Sequence, residues 1–191
     1  MAIKDKRQLI IEAATESFSL FGYKATTMDQ VARLANVGKG TIYTFFENKE
    51  ELFNEIVNTL ISEMKRVAES TLDSDKRFFE QTNHVLYKIL EFRKQHQLTI
   101  KLFQEGRDMG TPEVIGFMQR FEHTIIAYIK ELLQKAIDKG EIKQCDPELT
   151  AFVMLKLYKS LIFDWELSRD PLEKEEIIRL FDLYFFEGLS I

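Results

Sequence analysis

Along most of the 191-residue chain, hydrophobic positions recur at helical spacing. Between residues 49 and 71 they fall at Phe53, Ile56, Val57, Leu60, Ile61, Met64, Val67 and Ala68, which is one face of an amphipathic helix. No convincing alternating run marks a strand, and no segment repeats. Spacing, capping residues and breakers predict nine helices, over 5–21, 28–35, 39–46, 49–71, 75–94, 97–106, 112–139, 147–168 and 173–188. The first three are short and closely connected, whereas the later ones are longer. The expected fold is therefore all-α with two domains: a three-helix domain over 1–48 and a helical bundle over 49–191, joined by the helix that starts near Lys49.

Three prolines punctuate this plan. Thr111-Pro112-Glu113 and Asp146-Pro147-Glu148 each read as an N-cap, a proline at the first helical position and an acid suited to the helix dipole. Asp170-Pro171-Leu172 reads as a turn before the last helix, and Gly140 as the left-handed end of a long one. The segment Glu105 to Gly110, flanked by Gly106 and Gly110, reads as a connector or hinge. It is no phosphate loop, since no strand precedes it and no Gly-Lys-Ser/Thr ending follows.

Composition narrows the function. Hydrophobic residues make up 45% of the chain, enough for a substantial core, but no run of about 18 apolar residues is available to span a membrane. The polar start and the single Cys145 fit a cytoplasmic protein, with Cys145 read as a bystander. The net charge of −5 argues against a protein that coats nucleic acid at large. Residues 1–50 carry seven Lys/Arg against six Asp/Glu and the rest 19 against 25, a distribution that suits a compact DNA reader on an acidic body and equally a solvated acidic surface without functional meaning. His84, His96 and His123 lack metal-ligand spacing, and no nucleophile elbow, paired-carboxylate site or dinucleotide fingerprint is present. Neither an enzyme nor a cofactor is expected.

The informative stretch is 28–47. Thr27 and Gln30 form a capping box, after which Met28, Val31, Ala32 and Ala35 make an apolar stripe, with two alanines small enough for a close helix neighbour. Asn36-Val37-Gly38 is a turn in which Asn36 or Gly38 takes positive φ and Val37 plugs the junction. In the following helix Ile42 and Phe46 face inward. Thr41, Thr44 and Phe45 lie on another face, with Lys39 and Tyr43 at its edge. Asn48 and Glu51 then signal a further helix start. A tight turn followed by a short helix bearing hydroxyls and a lysine suits the major groove of duplex DNA, where Lys, Thr and Tyr hold phosphates and Thr or Phe meets a thymine methyl. Tyr43 has a second reading as a core residue, Phe45 as an internal packer, and Lys49 as a solvated helix-start lysine. Lys4, Lys6 and Arg7 read equally as a basic arm or a frayed terminus.

The motifs Gly22-Tyr23-Lys24-Ala25-Thr26-Thr27-Met28, Val31-Ala32, Val37-Gly38-Lys39-Gly40-Thr41-Ile42-Tyr43 and Phe46-Glu47-Asn48-Lys49-Glu50-Glu51-Leu52 resemble the TetR family of bacterial regulators over roughly residues 6–55. The resemblance implies that Thr27 binds a phosphate and that Lys39, Gly40 and Thr41 meet DNA at the start of the recognition helix. It also implies that Tyr43 contacts a phosphate or base, that Thr44 and Phe45 sit in the groove, and that Lys49 binds backbone. Thr44-Phe45 departs from the family, which often has His or Tyr there. Phe45 donates no hydrogen bond, so a thymine methyl or sugar is its natural contact.

In the bundle, the helix at 147–168 has apolar residues on almost every side, and 173–188 is similar, so both are expected to be buried all round. A terminal helix does not easily achieve that within one chain. A homodimer through these two helices follows, with Leu161, Trp165, Phe181 and Phe185 at the interface; a large monomeric core is the alternative. Twelve of the 16 Phe lie beyond residue 50, and Phe79, Asn83, Tyr87, Phe103, Phe117, Phe121, Tyr128, Tyr158 and Trp165 are candidates to line a small-molecule pocket, each with core packing as its other reading. The expected function is a ligand-responsive repressor, released from a near-palindromic operator by a small hydrophobic effector. The alternatives are a helical-bundle enzyme or carrier with a vestigial DNA-binding region, and a DNA-binding protein without an effector.

Overall fold

The computed structural model describes residues 3–71, 77–95 and 97–190. Its helices are α1 (Ile3–Phe21), α2 (Met28–Leu34), α3 (Lys39–Tyr43), α4 (Lys49–Ser70), α5 (Phe78–Gln95), α6 (Gln97–Met109), α7 (Pro112–Asp138), α8 (Pro147–Lys159) and α9 (Lys174–Phe181). No strand occurs among the described residues. Residues 75–76 of the expected fifth helix, His96 and the Lys4 side chain lie outside them. No described helix is long and apolar enough to cross a membrane.

Backbone contacts divide the chain into two compact units. The first comprises Met1–Met64 with Arg93–Gln119, the second Lys65–Phe92 with Arg120–Ile191. The division expected at residue 48 is not the one the contacts draw, because α6 packs along α1. Three short helices bury too little apolar surface to close a core alone.

Within the first unit, α2 and α3 form as their residues dictate. Thr27 is extended and its hydroxyl accepts the Gln30 amide at 3.2 Å, which caps α2. The α2 stripe is buried: Met28 7%, Val31 1%, Ala32 3% and Ala35 6% exposed. Asn36 ends α2 at φ 52; the Val37 amide reaches back to the Ala32 carbonyl (3.0 Å) and the Asn36 amide to Arg33 (3.1 Å), a Schellman cap. Helix α3 is shorter than expected, and Thr44 to Phe46 wind on as a hydrogen-bonded turn. Ile42 and Phe46 are buried as the spacing requires. Around them lie Phe18, Tyr23 and Phe53, with ring centroids 4.7–5.8 Å apart, and Phe117 meets Phe53 edge-on at 6.2 Å.

The second unit packs around Phe78, Leu90, Leu133, Ile137, Met154, Ile162, Ile177, Phe181 and Phe186. Asp146 caps α8 as expected, accepting the amides of Glu148 and Leu149, and Gly140 ends α7 at φ +67. Two features were not legible in the spacing. Helix α8 runs into a π-turn at Ser160–Asp164 and a 3₁₀ turn at Trp165–Leu167. Helix α9 likewise runs into a π-turn at Asp182–Phe186 before its last turn, Glu187–Leu189. Each π-turn inserts a residue into the helical ladder and rotates the stripe beyond it. The 105–110 connector is also corrected: α6 continues to Met109, and the chain reverses only at Gly110 and Thr111.

A β-branched side chain is disfavoured in the left-handed region. Asn36→Val is therefore expected to destabilise the protein by roughly 1–2 kcal/mol, whereas Asn36→Gly stays near wild type. Urea unfolding followed by circular dichroism checks both.

Candidate nucleic-acid interface

Burial of Ile42 and Phe46 against α2 leaves the opposite side of α3 outward. Lys39, Gly40 and Thr44 are exposed, Thr41 and Phe45 half-buried, and Tyr43 is 45% exposed, so the core reading of Tyr43 has no support. Thr27, at the start of α2, is exposed as well. Lys39 donates to Asp29 on the first turn of α2 at 2.9 Å, and this hydrogen bond raises the lysine's pKa above its ordinary value. The Thr44 hydroxyl donates to the Thr41 carbonyl at 2.7 Å. The outward face thus offers a cation, two hydroxyls, a phenol and a glycine whose backbone can be approached closely. That is a set for phosphates and groove edges. Exposed Lys24 and Arg33 add cations near α2 that the motif spacing does not single out.

Lys49 stands apart. Its ammonium donates to the carbonyls of Tyr23 (2.9 Å) and Thr26 (3.0 Å) and lies 4.2 Å over the Tyr23 ring. Burial lowers its pKa, and the carboxylates of Glu113 and Glu105 oppose that shift. The expected backbone contact would have to be made by its remaining N–H. Two of the three donors already hold the α1–α2 connection, so its primary geometry is internal.

From the other side, the buried carboxylate of Glu105 accepts the amides of Tyr23 (2.6 Å) and Lys24 (2.9 Å) and the Thr111 hydroxyl (2.9 Å). Gly22, at φ +85, leaves room for this approach, since a Cβ there would lie 2.3 Å from a Glu105 oxygen. Ser17 and Thr26 share a buried hydrogen bond of 2.9 Å, and Thr26 donates to the Gly22 carbonyl. Nothing in the spacing signals Glu105, because its partners are backbone groups some 80 residues earlier in the chain.

The pocket candidates are divided between the two units. Phe103 and Phe117 are buried in the first unit, where Phe117 packs on Phe53, and so are corrected to core roles there. The others belong to the second unit. Phe79 packs against Phe186 at 5.0 Å, and Phe121 is buried. Tyr158 is half-buried against the core cluster. The Tyr87 hydroxyl accepts Lys174 at 2.8 Å. Trp165 is corrected from pocket to surface: it is 36% exposed, donates to the Asp170 carbonyl and lies under Arg169. Asn83 donates to Asp182 at 2.8 Å, which turns its carbonyl oxygen away. That oxygen and the Tyr128 hydroxyl are buried without a hydrogen-bond partner among the described residues. Adjacent His84 is exposed.

The expected dimer residues divide in the same way. Phe181 is only 3% exposed in a single chain, so it adds nothing to an interface and is corrected to core. Leu161 and Phe185 are half-buried against that core. The apolar side chains left outward are Leu149 (60% exposed), Phe152 and Val153 on α8, Trp165 and Leu167 after it, and Leu183 and Tyr184 (63%) after α9. Neither helix is therefore buried all round within one chain.

A family model described as bacterial regulatory proteins, tetR family, matches residues 10–56. The uncharacterized HTH-type transcriptional regulator YhgD of Bacillus subtilis (strain 168) is 59% identical over 186 residues, 97% of either chain. Among solved structures, the fatty acid degradation regulator FadR of Bacillus halodurans aligns with a TM-score of 0.76 at 17% identity, over 92% of this chain and 91% of that one. A complex of SmeT with triclosan aligns with a TM-score of 0.79 at 15% identity, over 97% of this chain and 92% of that one. At these identities the two structures speak for the fold alone.

Tyr23 links this geometry to pH. Burial first, then the nearby Glu113 and Glu50 carboxylates, raise its phenol from 10.0 to about 12. A raised pKa contributes stability that is complete below 10 and lost as pH climbs toward 12. Tyr23→Phe is expected to lose less stability than wild type over that window, as read from denaturation midpoints at pH 9 to 12.

Proposed function

The chain belongs to the TetR family of bacterial transcriptional regulators, and from that premise we propose a homodimeric repressor that a small molecule releases from a near-palindromic operator. The observation that carries the DNA-reading half is the outward face of α3: Lys39, Gly40, Tyr43 and Thr44 stand exposed while Ile42 and Phe46 anchor the helix from behind. Thr41 and Phe45 at its margin complete a surface for one major groove, with Thr27 placed for a phosphate. Lys49 contributes mainly by holding the α1–α2 connection.

The exposed apolar residues of α8 and of the turns after α8 and α9 support the dimer. Leu149, Phe152 and Val153 share the i, i+3, i+4 spacing of one face, and a second copy would cover it by two-fold symmetry. Two readers about 34–36 Å apart then meet successive turns of a palindrome. The effector site belongs in the aromatic second unit, where the Asn83 carbonyl oxygen and Tyr128 hydroxyl supply buried polar atoms in need of partners. The effector acts by binding one packing of the dimer more tightly than the other; a coupling of about 1–3 kcal/mol would weaken operator binding roughly 5–150-fold. Ligand-dependent release from DNA separates this from a DNA-binding protein without an effector.

The test begins with a duplex that the protein itself selects from a random pool. Tyr43→Ala is expected to weaken binding to it by about ten-fold, with dimer and helicity retained. Unchanged affinity in fluorescence anisotropy removes Tyr43 from the contact surface. Independently, Val153→Asp is expected to shift the dimer toward monomer in sedimentation equilibrium; an unaltered mass rules out that face.

A further inference from the structure

Helices α2 and α3 are held to the remainder of the first unit through the short connection after α1. That connection is gripped on both sides. Lys49 takes the carbonyls of Tyr23 and Thr26, and Glu105 takes the amides of Tyr23 and Lys24. Three residues beyond Lys24, Thr27 caps α2; two further on, Asp29 holds Lys39 at the start of α3. Hydrogen bonds joined by two short stretches of backbone thus connect one carboxylate to the lysine at the start of α3. The carboxylate sits in the last turns of α6, and its neighbour Gly106 is pressed against Met118 and Val114 of α7. Glu105 is thereby seated on the packing of α6 against α7.

We propose that Glu105 is a positioning residue for DNA recognition: it sets the entry of α2, and so the presentation of α3, according to where the C-terminal turns of α6 stand. This rests on the DNA-reading assignment above. The chemistry favours a carboxylate at this place. Two amides and a hydroxyl all donate toward it, and an ionised acid is acceptor-only at both oxygens. An amide in its place would turn an N–H₂ group against a backbone N–H. The carboxylate therefore acts as an adjustable strut on the connection, and displacing it frees the entry to α2 without unfolding α2 or α3.

The experiment compares full-length wild type, Glu105→Gln and Leu60→Ala, the last a buried change on α4 in the same unit that lies outside the grip and outside the α6–α7 contact. Each is measured on the duplex selected by wild type and on an unrelated duplex of equal length. Amide hydrogen exchange is followed across residues 22–27. Glu105→Gln is expected to bind the selected duplex about ten-fold more weakly and the unrelated duplex within about two-fold of wild type, with faster exchange at Tyr23 and Lys24. Leu60→Ala stays within about two-fold on both. Should Glu105→Gln fail to fold, Glu105→Asp, which keeps the charge but withdraws it by one methylene, carries the same test. Equal affinity of the Glu105 variant and wild type, or an equal loss in Leu60→Ala, overturns the proposal. Failure of wild type to select any sequence instead overturns the DNA-reading assignment on which it rests.

Discussion

Between the end of α1 and the cap of α2 the chain turns sharply, and its amides and carbonyls lie where neither helix can satisfy them. Buried backbone groups left unpaired are strongly unfavourable. Here they are paired by two opposite charges: the Glu105 carboxylate on the amide side and the Lys49 ammonium on the carbonyl side. Each charge is partly desolvated, and each is compensated by the same short segment. Removing either leaves the other facing dipoles arranged for a pair. The placement of α2 and α3 follows from this arrangement as much as from the apolar contacts beneath them.

Division of labour within the reader is clear in those terms. Met28, Val31, Ala32, Ile42 and Phe46 hold it to the core. Their burial forces Lys39, Tyr43 and Thr44 outward, and the Schellman cap at Asn36 sets the angle between the helices. The side chains left outward are thus selected by packing on the far side of the same helices. The Lys39–Asp29 pair is solvent-exposed and worth little in stability. Its effect is to hold the lysine at the α3 N-terminus.

The second unit obeys a different constraint. Its last two helices carry more apolar side chains than a single core can face. Within the π-turn that follows α9, Phe186 faces the core while Leu183 and Tyr184 stay outward. This unit leaves Leu149, Phe152 and Val153 as an exposed apolar face. It also retains two buried polar atoms, on Asn83 and Tyr128, that its described residues do not pair.

Local chemistry wrote much of this molecule into the chain. The helical plan, the Thr27 and Asp146 caps, the turn at Asn36, the end at Gly140 and the inward stripe of α2 and α3 all arise from spacing and near-neighbour hydrogen bonds, whose determinants lie within a few residues. The family was legible for the same reason, since its motif is confined to residues 6–55. What only the tertiary structure decided depends on pairings between distant residues. Glu105 became a partner of Tyr23 and Lys24 because α6 lies along α1, and Lys49 turned inward to the carbonyls of Tyr23 and Thr26 more than 20 residues earlier. Phe117 joined the core beside the reader, and Phe181 the bundle's own core, while Leu149 and Val153 did not. Periodicity reports that a helix has an apolar side. Which neighbour covers that side, and which buried polar group finds a partner, is settled only when segments far apart in the chain are brought together.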